Sequence, residues 1–259
     1  VNFVLGIFIY IVLMYAYGEK YLPNENVKDG VWVQDTLAIN LGLETGDKIL
    51  SIDGEKIKKF SELTIGFVNG NDFQIERNGV VLDKEIPEDF ISQLVDRSKD
   101  AGAILLPRYP FTITSISEDS PNLNVDLQAK DIVVSINGNP IKYFDEAQVE
   151  LNKFKNQDIS VTIKRGSETK DVAVKVTDNG KLGVGFGLLP AKDLAKLGYY
   201  NLAEVEYSFA EAIPAGWNKS VKTLTDYIKQ LKKIFNPSTG AYKGLGGFDI
   251  YKSKKENDC

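Results

Sequence analysis

The sequence predicts an α+β protein, mainly β, in which two partly open β-barrels stand in tandem between an N-terminal transmembrane helix and a C-terminal amphipathic helix. Two observations carry this prediction. The segment at residues 41–63 returns at 126–147, and Asp131 follows its counterpart Asp47 by 84 residues. This offset is about the size of one small domain, so the repeat indicates two copies of a module rather than a solenoid. Helix-like apolar patterns lie outside the two copies, at both ends of the chain.

The chain opens with an apolar run that carries no charge from Val1 to Tyr17. Seventeen helical residues cover about 25 Å, which is at the short end of what crosses a bilayer core. Tyr15, Tyr17 and Tyr21 stand where an interfacial aromatic belt is expected. We therefore predict a transmembrane helix at 1–18. A signal peptide is the alternative, but a basic n-region is missing, and the absence of an initiator Met leads us to expect further residues upstream.

The first module is predicted at 19–105. Alternation of apolar and polar residues indicates strands, and Gly-containing pairs indicate turns. The predicted elements are a strand at 31–34, a helical turn ending in a corner with Gly42 and Gly46, a strand at 48–53 closed by Asp53-Gly54, a short helix at 60–67 with Ser61 as N-cap, and a hairpin whose Asn78-Gly79 favours a type I′ turn.

The second module is predicted at 106–190 and repeats this plan. Its elements are a strand at 111–116, a capped helical turn at 117–125, a strand at 131–136 with an Asn137-Gly138 turn, an amphipathic helix at 144–154, a hairpin around Arg165-Gly166 and an edge strand at 182–186.

A mostly helical segment is predicted at 191–236, with a break near Pro214, and a loop and polar tail at 237–259. From Trp217 to Phe235 apolar residues recur every three or four positions, with lysines between them. This pattern is typical of a helix lying on a membrane surface. The alternative is a helix that packs on the modules with solvated lysines.

Composition excludes several functions. The net charge is −5 and the isoelectric point is about 5.1, which argues against nucleic acid as a partner. The chain has no histidine, and Cys259 is its single cysteine. It therefore lacks the commonest general base and the usual zinc ligands, so we predict no catalytic residue, no metal ligand and no cofactor in this chain.

The repeated motif resembles that of a PDZ domain of the bacterial, circularly permuted kind. The first copy reads Gly-Leu-x-x-Gly-Asp-x-Ile-x-x-Ile-Asp-Gly from Gly42 to Gly54, while the second has Asp126 and Lys130 where glycines stood. The residues that we assign to the two corners are Gly46, Asp47, Gly54, Asp131 and Gly138.

This resemblance implies a peptide-binding groove, because an unpaired strand edge can pair with an extended peptide beside a helix that supplies side-chain contacts. In the second copy we place it between the strand at 111–116 and the helix at 144–154. The loop before the strand offers backbone N–H groups to a peptide carboxylate, and Arg108 adds a positive charge there. The predicted groove residues are Arg108, Phe111, Thr112, Ile113, Thr114, Phe144, Gln148 and Leu151. The alternative is that Phe144 and Leu151 pack inward and the module is a steric filter. In the first copy, Trp32 is predicted to plug a smaller groove between 31–34 and 60–67.

The order of segments resembles the middle of a site-2-type intramembrane zinc metalloprotease of the regulator-of-sigma-E protease type. The matching features are Asn2-Phe3 in the first helix, tandem PDZ domains, an amphipathic helix and Gly246-Gly247. The resemblance implies a region that recognises or gates substrates, such as transmembrane anti-sigma-factor-like proteins, on the extracytoplasmic side of the cell membrane. Zinc is implied for the whole enzyme, but its His-Glu-x-x-His and Leu-Asp-Gly motifs do not occur in this chain. A membrane-anchored PDZ adaptor without enzymatic activity is the alternative, whereas a serine protease with a His-containing triad is excluded by the absence of histidine.

Overall fold

The computed structural model describes residues 2–97 and 102–241. The chain divides into two compact units: Val1–Leu106 with Tyr200–Cys259, and Pro107–Tyr199. The predicted loop and tail at 237–259, with Gly246-Gly247, lies mostly outside the described residues.

Seven helices and fourteen strands are assigned within the described ranges. The helices are α1 (Asn2–Tyr17), α2 (Thr36–Asn40), α3 (Leu63–Asn69), α4 (Phe90–Val95), α5 (Phe144–Leu151), α6 (Ala191–Lys196) and α7 (Phe209–Phe235). The strands are β1 (Glu19–Tyr21), β2 (Val31–Trp32), β3 (Lys48–Ile52), β4 (Glu55–Lys56), β5 (Asp72–Arg77), β6 (Val80–Glu85), β7 (Leu106–Pro107), β8 (Phe111–Ile116), β9 (Ile132–Ile136), β10 (Asn139–Pro140), β11 (Asp158–Arg165), β12 (Glu168–Lys175), β13 (Val184–Phe186) and β14 (Ala203–Val205).

The first module has a four-stranded sheet in the order β4-β3-β5-β6. The turn between β5 and β6 has positive φ at Asn78 (52°) and Gly79 (80°), which a type I′ turn requires, so this prediction is confirmed. The predicted N-cap at Ser61 is wrong, because Phe60–Glu62 forms a 3-10 turn and no side chain caps α3. Phe67 of α3 is fully buried and packs edge-on against Phe73, with ring centroids 5.0 Å apart.

The second module has a sheet in the order β12-β11-β9-β8-β13, with β10 paired to β9. Its core is lined by fully buried branched side chains, among them Ile113, Ile136 and Ile163. The helical turn predicted at 117–125 is a series of turns instead. They are held by buried Asn122, whose side chain bonds to backbone groups of Lys175 and Leu182.

The predicted helical segment at 191–236 is divided into α6, strand β14 and helix α7. The break near Pro214 is wrong, because α7 runs through it from a capping box in which the Ser208 side chain accepts from the N–H of Glu211. β14 pairs antiparallel with β1, and α7 packs against α1. Within residues 2–97 and 102–241, no helix combines the length and apolar composition needed to cross a membrane, so the structure does not support the predicted transmembrane helix.

Helix α7 makes its closest contact with α1 through small residues. Ala212, Gly216 and Ser220 are buried, and a Cβ atom at Gly216 would lie 2.6 Å from the backbone nitrogen of Ile11. Close backbone approach at small residues is typical of helix pairs in membrane proteins. Trp217, in contrast, is 53% exposed.

Candidate functional site

The edge strand predicted at 182–186 is confirmed as β13 (Val184–Phe186), whereas the groove prediction also required an open edge on β8. β8 pairs with β9 through Phe111 and Thr112, and with β13 from Ile113 to Ile116. The predicted groove strand therefore has a neighbour on both sides, which is a correction. In the described part of the chain, no strand pairs with the other side of β13, so an added peptide strand would have to pair there.

The predicted strand residues of the groove are mostly inside the module. Phe111 and Ile113 belong to the core, and Thr112 is buried as well. Within the described residues, the Thr112 hydroxyl has no hydrogen-bond partner. Thr114 is exposed, and its side chain lies against β13 and the residue after it, since a Cβ atom at Gly187 would be 2.3 Å from Thr114 Cγ2. The backbone N–H of Gly187 donates to Thr112 O at 3.2 Å, which extends the pairing beyond Phe186.

Helix α5 contacts β8 and β9, and its predicted groove residues separate into two groups. Leu151 is 3% exposed and belongs to the core, so it does not line an open groove. Phe144 and Gln148 are half-buried. Val149, on the outer face of α5, is 65% exposed.

Three phenylalanine rings connect α5 with the edge strand. Phe144 stacks on Phe186 with ring centroids 3.8 Å apart and an angle of 4° between the planes. Phe111 meets Phe144 edge-on at 4.9 Å and Phe186 at 6.4 Å. The rings of α5 and β13 are therefore in direct contact, which agrees with the inward-packing alternative for Phe144.

Arg108 is engaged within the module rather than offered to a ligand. Its guanidinium donates to the Asp145 carboxylate, at 3.1 Å from Nε, and to Glu146 at 2.8 Å, and it lies 4.3 Å from the centre of the Tyr143 ring. Burial opposes the charged form, but the hydrogen bonds to Asp145 and Glu146 outweigh it and raise the pKa of Arg108. The predicted role of Arg108 as a free positive charge for a peptide carboxylate is therefore corrected. The loop carbonyl of Tyr109 accepts from Phe144 N–H at 2.8 Å, which fixes the start of α5.

Each predicted corner aspartate is the buried acceptor of an arrangement that the two copies share. Asp47 accepts from the N–H of Glu44 and from Arg77, with both Arg77 contacts at 2.7 Å. Asp131 accepts from the N–H of Gln128 and from Arg165, with all three contacts at 2.8 Å.

The ion-pair role of the two arginines was not predicted, although Arg77 and Arg165 each end a strand just before a turn that contains glycine. The hydrogen bond to Asp47 is the largest cause that raises the pKa of Arg77, and that to Asp131 raises the pKa of Arg165. Because these ion pairs close corners of the fold, they are structural.

The glycine positions of the corners have left-handed backbone. φ is 100° at Gly46, 76° at Gly54 and 84° at Gly138. Lys130, which replaces the glycine of the first copy, adopts φ 77° and so keeps the same corner geometry without glycine. The second copy therefore retains the turn despite the two substitutions in its motif.

In the first module, α7 covers the helix that corresponds to α5. Lys233 Nζ donates to Gly70 O at 2.7 Å, and Asn69 Nδ2 approaches Asp226 at 3.4 Å. Burial lowers the pKa of Lys233. Trp32 is buried, and its strand β2 pairs with β7, which begins at Leu106.

Among the residues that the structure describes, no three His, Cys, Asp or Glu side chains are placed so that they could hold a metal ion. The zinc of the resembled enzymes therefore finds no fitting set of ligands in this part of the chain.

A family model described as PDZ domain matches residues 93–176. A PDZ domain is therefore found in this part of the chain, and it suggests a peptide-binding or protease-associated regulatory role. Probable CtpA-like serine proteases from strains of Staphylococcus aureus are 34% identical over 65 residues, a match that covers 24% of this chain and only 13% of the relative.

Two solved structures are also similar. The PDZ domain of an SdrC-like protein from Listeria innocua is 19% identical to this chain. The match covers 32% of this chain and 98% of that structure, with a TM-score of 0.28. The corresponding domain from Listeria monocytogenes is 24% identical and covers 33% of this chain and 90% of that structure, with a TM-score of 0.25.

Proposed function

We propose that this chain is the substrate-recognition or gating region of a protease that acts at a membrane, and that its second module binds extended peptides between β13 and α5. The edge position of β13 beside α5 is the observation that carries the peptide-binding part. An edge strand supplies backbone hydrogen bonds to an added strand, and a neighbouring helix supplies contacts to alternate side chains.

Two observations support the link to proteolysis. The order of helix, tandem modules and amphipathic helix resembles a site-2-type zinc metalloprotease, and the local similarity to CtpA-like serine proteases is again to a protease. In this proposal, the chain admits or excludes transmembrane protein substrates on the extracytoplasmic side. The zinc and its ligands then belong to other parts of the protease, because this chain has no histidine.

The second candidate is a membrane-anchored adaptor that binds peptides without proteolysis. It is favoured by the absence of any catalytic constellation among the motifs of the sequence. The genomic sequence upstream of the codon for Val1 discriminates the two. An in-frame His-Glu-x-x-His supports the metalloprotease, whereas an open reading frame without it rejects that version and leaves the adaptor.

Peptide binding is tested on the full chain with a fluorescein-labelled peptide that ends in apolar residues. We expect a saturable rise in anisotropy and slower amide exchange in β13 (Val184–Phe186). Phe144→Asp places a charge between α5 and β13 and should abolish binding. Val149→Asp places the same charge on the exposed face of α5 and should leave binding unchanged. A flat titration of the unaltered chain rejects the peptide-binding proposal and favours a steric filter.

The membrane part rests on the α1–α7 pair. Most of the exposed large apolar side chains lie on these two helices, including Phe8 of α1 and Ile213, Trp217 and Leu224 of α7. The small residues of α7 form its closest contact with α1, and Ile213 and Trp217 of α7 remain exposed beside that contact. Exposed apolar patches of this kind mark interaction surfaces, and the lysines of α7 complement an anionic lipid surface.

Tryptophan fluorescence tests this part. Trp32 is buried, so a Trp32→Phe variant leaves Trp217 as the single reporter. We expect a blue shift with phosphatidylglycerol vesicles and a weaker one with phosphatidylcholine vesicles, because only the first attract lysines. Ile213→Glu should abolish the shift, while Thr225→Glu, at another exposed position of α7, should retain it. An unchanged spectrum with both lipids contradicts membrane binding.

A further inference from the structure

The aromatic contact between α5 and β13 occupies the place where the proposed peptide would insert. Phe144 starts α5, and Phe186 ends the edge strand. Their rings are parallel and 3.8 Å apart, so no ligand side chain fits between them while they remain stacked. A peptide strand added to β13 would direct alternate side chains toward this pair of rings.

The backbone that carries Phe144 is held firmly, which leaves its ring as the movable part. Its N–H donates to Tyr109 O at 2.8 Å, and the next two residues, Asp145 and Glu146, bind Arg108. Glu146 also accepts from the backbone N–H of Lys142 at 2.9 Å. A swing of the whole helix would break these bonds together, whereas a rotation of the half-buried Phe144 ring leaves them in place.

The edge strand is equally restrained on the other side of the gap. β13 pairs with β8, and Gly187 N–H bonds to Thr112 O. A Cβ atom at Gly185 would lie 2.7 Å from Thr114 Oγ1, so β13 sits close against β8 at this point. Phe186 is therefore a fixed platform, and Phe144 is the ring that can leave it.

We propose that Phe144 is an internal plug of the groove in the second module, and that the preferred ligand is an extended peptide whose aromatic side chain replaces the Phe144 ring on Phe186. This inference rests on the proposed peptide-binding function and specifies its ligand class and regulation. An aromatic ligand side chain restores the stack that it displaces, while an aliphatic one of similar size does not. Because a stacked pair adds a modest increment beyond area burial, the expected preference is about tenfold or less.

The test compares two peptides that differ only in a terminal Phe or Leu, titrated into the full chain by fluorescence anisotropy. The unaltered chain should bind the Phe peptide up to about tenfold more tightly than the Leu peptide. Phe144→Ala removes the competitor and should tighten binding of the Phe peptide by a similar factor. Val149→Ala, on the exposed face of the same helix, should change neither affinity.

A second pair of variants distinguishes the role of Phe144 from that of Phe186, and it keeps the test possible if Phe144→Ala does not fold. Phe144→Leu keeps an apolar side chain at the site but cannot stack, so it should also tighten binding of the Phe peptide. Phe186→Leu removes the platform and should abolish the preference for Phe over Leu. Folding of each variant is checked by its urea midpoint.

The outcomes are distinct. If the unaltered chain binds peptides but neither Phe144 variant binds the Phe peptide more tightly, the plug is rejected while the proposed function stands. If Phe186→Leu keeps the preference, the platform is rejected. If no folded variant binds either peptide, the proposed function itself fails.

Discussion

Removal of Arg165 tests how much the corner of the second module depends on compensation of a buried charge. Asp131 is fully buried, and two of its three hydrogen bonds come from Arg165. Arg165→Ala leaves the carboxylate with only the N–H of Gln128. Breaking a buried ion pair by removing one partner costs about 3–5 kcal/mol. Because the Arg165 side chain is 34% exposed, water can replace part of the charge compensation that it gives to Asp131. We therefore expect the free energy of unfolding to fall by about 3 kcal/mol, at the lower end of that range.

Two further variants calibrate this value. Lys170 pairs with Asp126 at the exposed rim of the same corner, so Lys170→Ala should cost about 1 kcal/mol or less. Arg165→Lys keeps the charge but loses the fork that bonds both oxygens of Asp131, so its loss should lie between the other two.

Urea denaturation read by pulsed hydrogen exchange and mass spectrometry gives the midpoint of each unit from its own peptides. With a denaturant dependence of about 2 kcal/mol per molar, Arg165→Ala should lower the midpoint of peptides from 107–199 by about 1.5 M. A shift no larger than that of Lys170→Ala would show that Asp131 does not need Arg165, and would refute this account of the corner.

Three further predictions concern other contacts. Gly216→Ala should lower the stability of the unit containing α1 and α7 by about 1–3 kcal/mol, because the added Cβ would meet the Ile11 backbone. The urea midpoint measures this change, with Thr225→Ala as the control. Equal midpoints for the two variants contradict the close approach of the helices. Gly187→Ala should loosen β13, seen as faster amide exchange, and Thr114→Ala should suppress the effect by removing Cγ2; failure of the suppression contradicts the contact. The hydrogen bond from Lys153, with one from Asn139, lowers the pKa of Glu150 below its ordinary 4.5. The stability contributed by ionised Glu150 is therefore present above that pH and is lost as pH falls through the folded-state pKa. Glu150→Gln should flatten the dependence of stability on pH in this range, and an unchanged dependence contradicts the prediction.

Local features of the fold could be predicted from the sequence because neighbouring residues determine them. The Asn78-Gly79 turn and the shared corner of the two copies are examples, since positive φ at a few positions specifies each turn. Even the replacement of glycine by Lys130 kept the corner, because the surrounding hydrogen bonds fix the local geometry. The long-range ion pairs to Asp47 and Asp131 required partners about 30 residues away, which no local pattern identifies.

The candidate site depended on pairing that the sequence alone did not resolve. β8 and β13 are distant in the chain, and alternation within 111–116 does not reveal which neighbour occupies its edge. The edge strand itself is predicted at 182–186, but its apolar pattern does not show that it pairs with the strand at 111–116. Likewise, Leu151 and Phe144 share a helical stripe, yet only the structure separates the core position from the half-buried one.

The duplicated modules have diverged at the helix beside the groove. In the first, Gly66 and Gly70 make α3 and its end thin: a Cβ at Gly66 would lie 2.6 Å from Ile52 Cδ1, and Gly70 O accepts from Lys233 of α7. In the first copy, strand β7 pairs with β2 as β13 pairs with β8, and its residues Leu106 and Pro107 offer no aromatic platform. The two copies of the same fold therefore make different contacts. One copy uses its helix to bind α7 within the chain, and the other keeps an aromatic pair beside β13, so peptide-dependent protection from exchange should occur in β13 and not in β7.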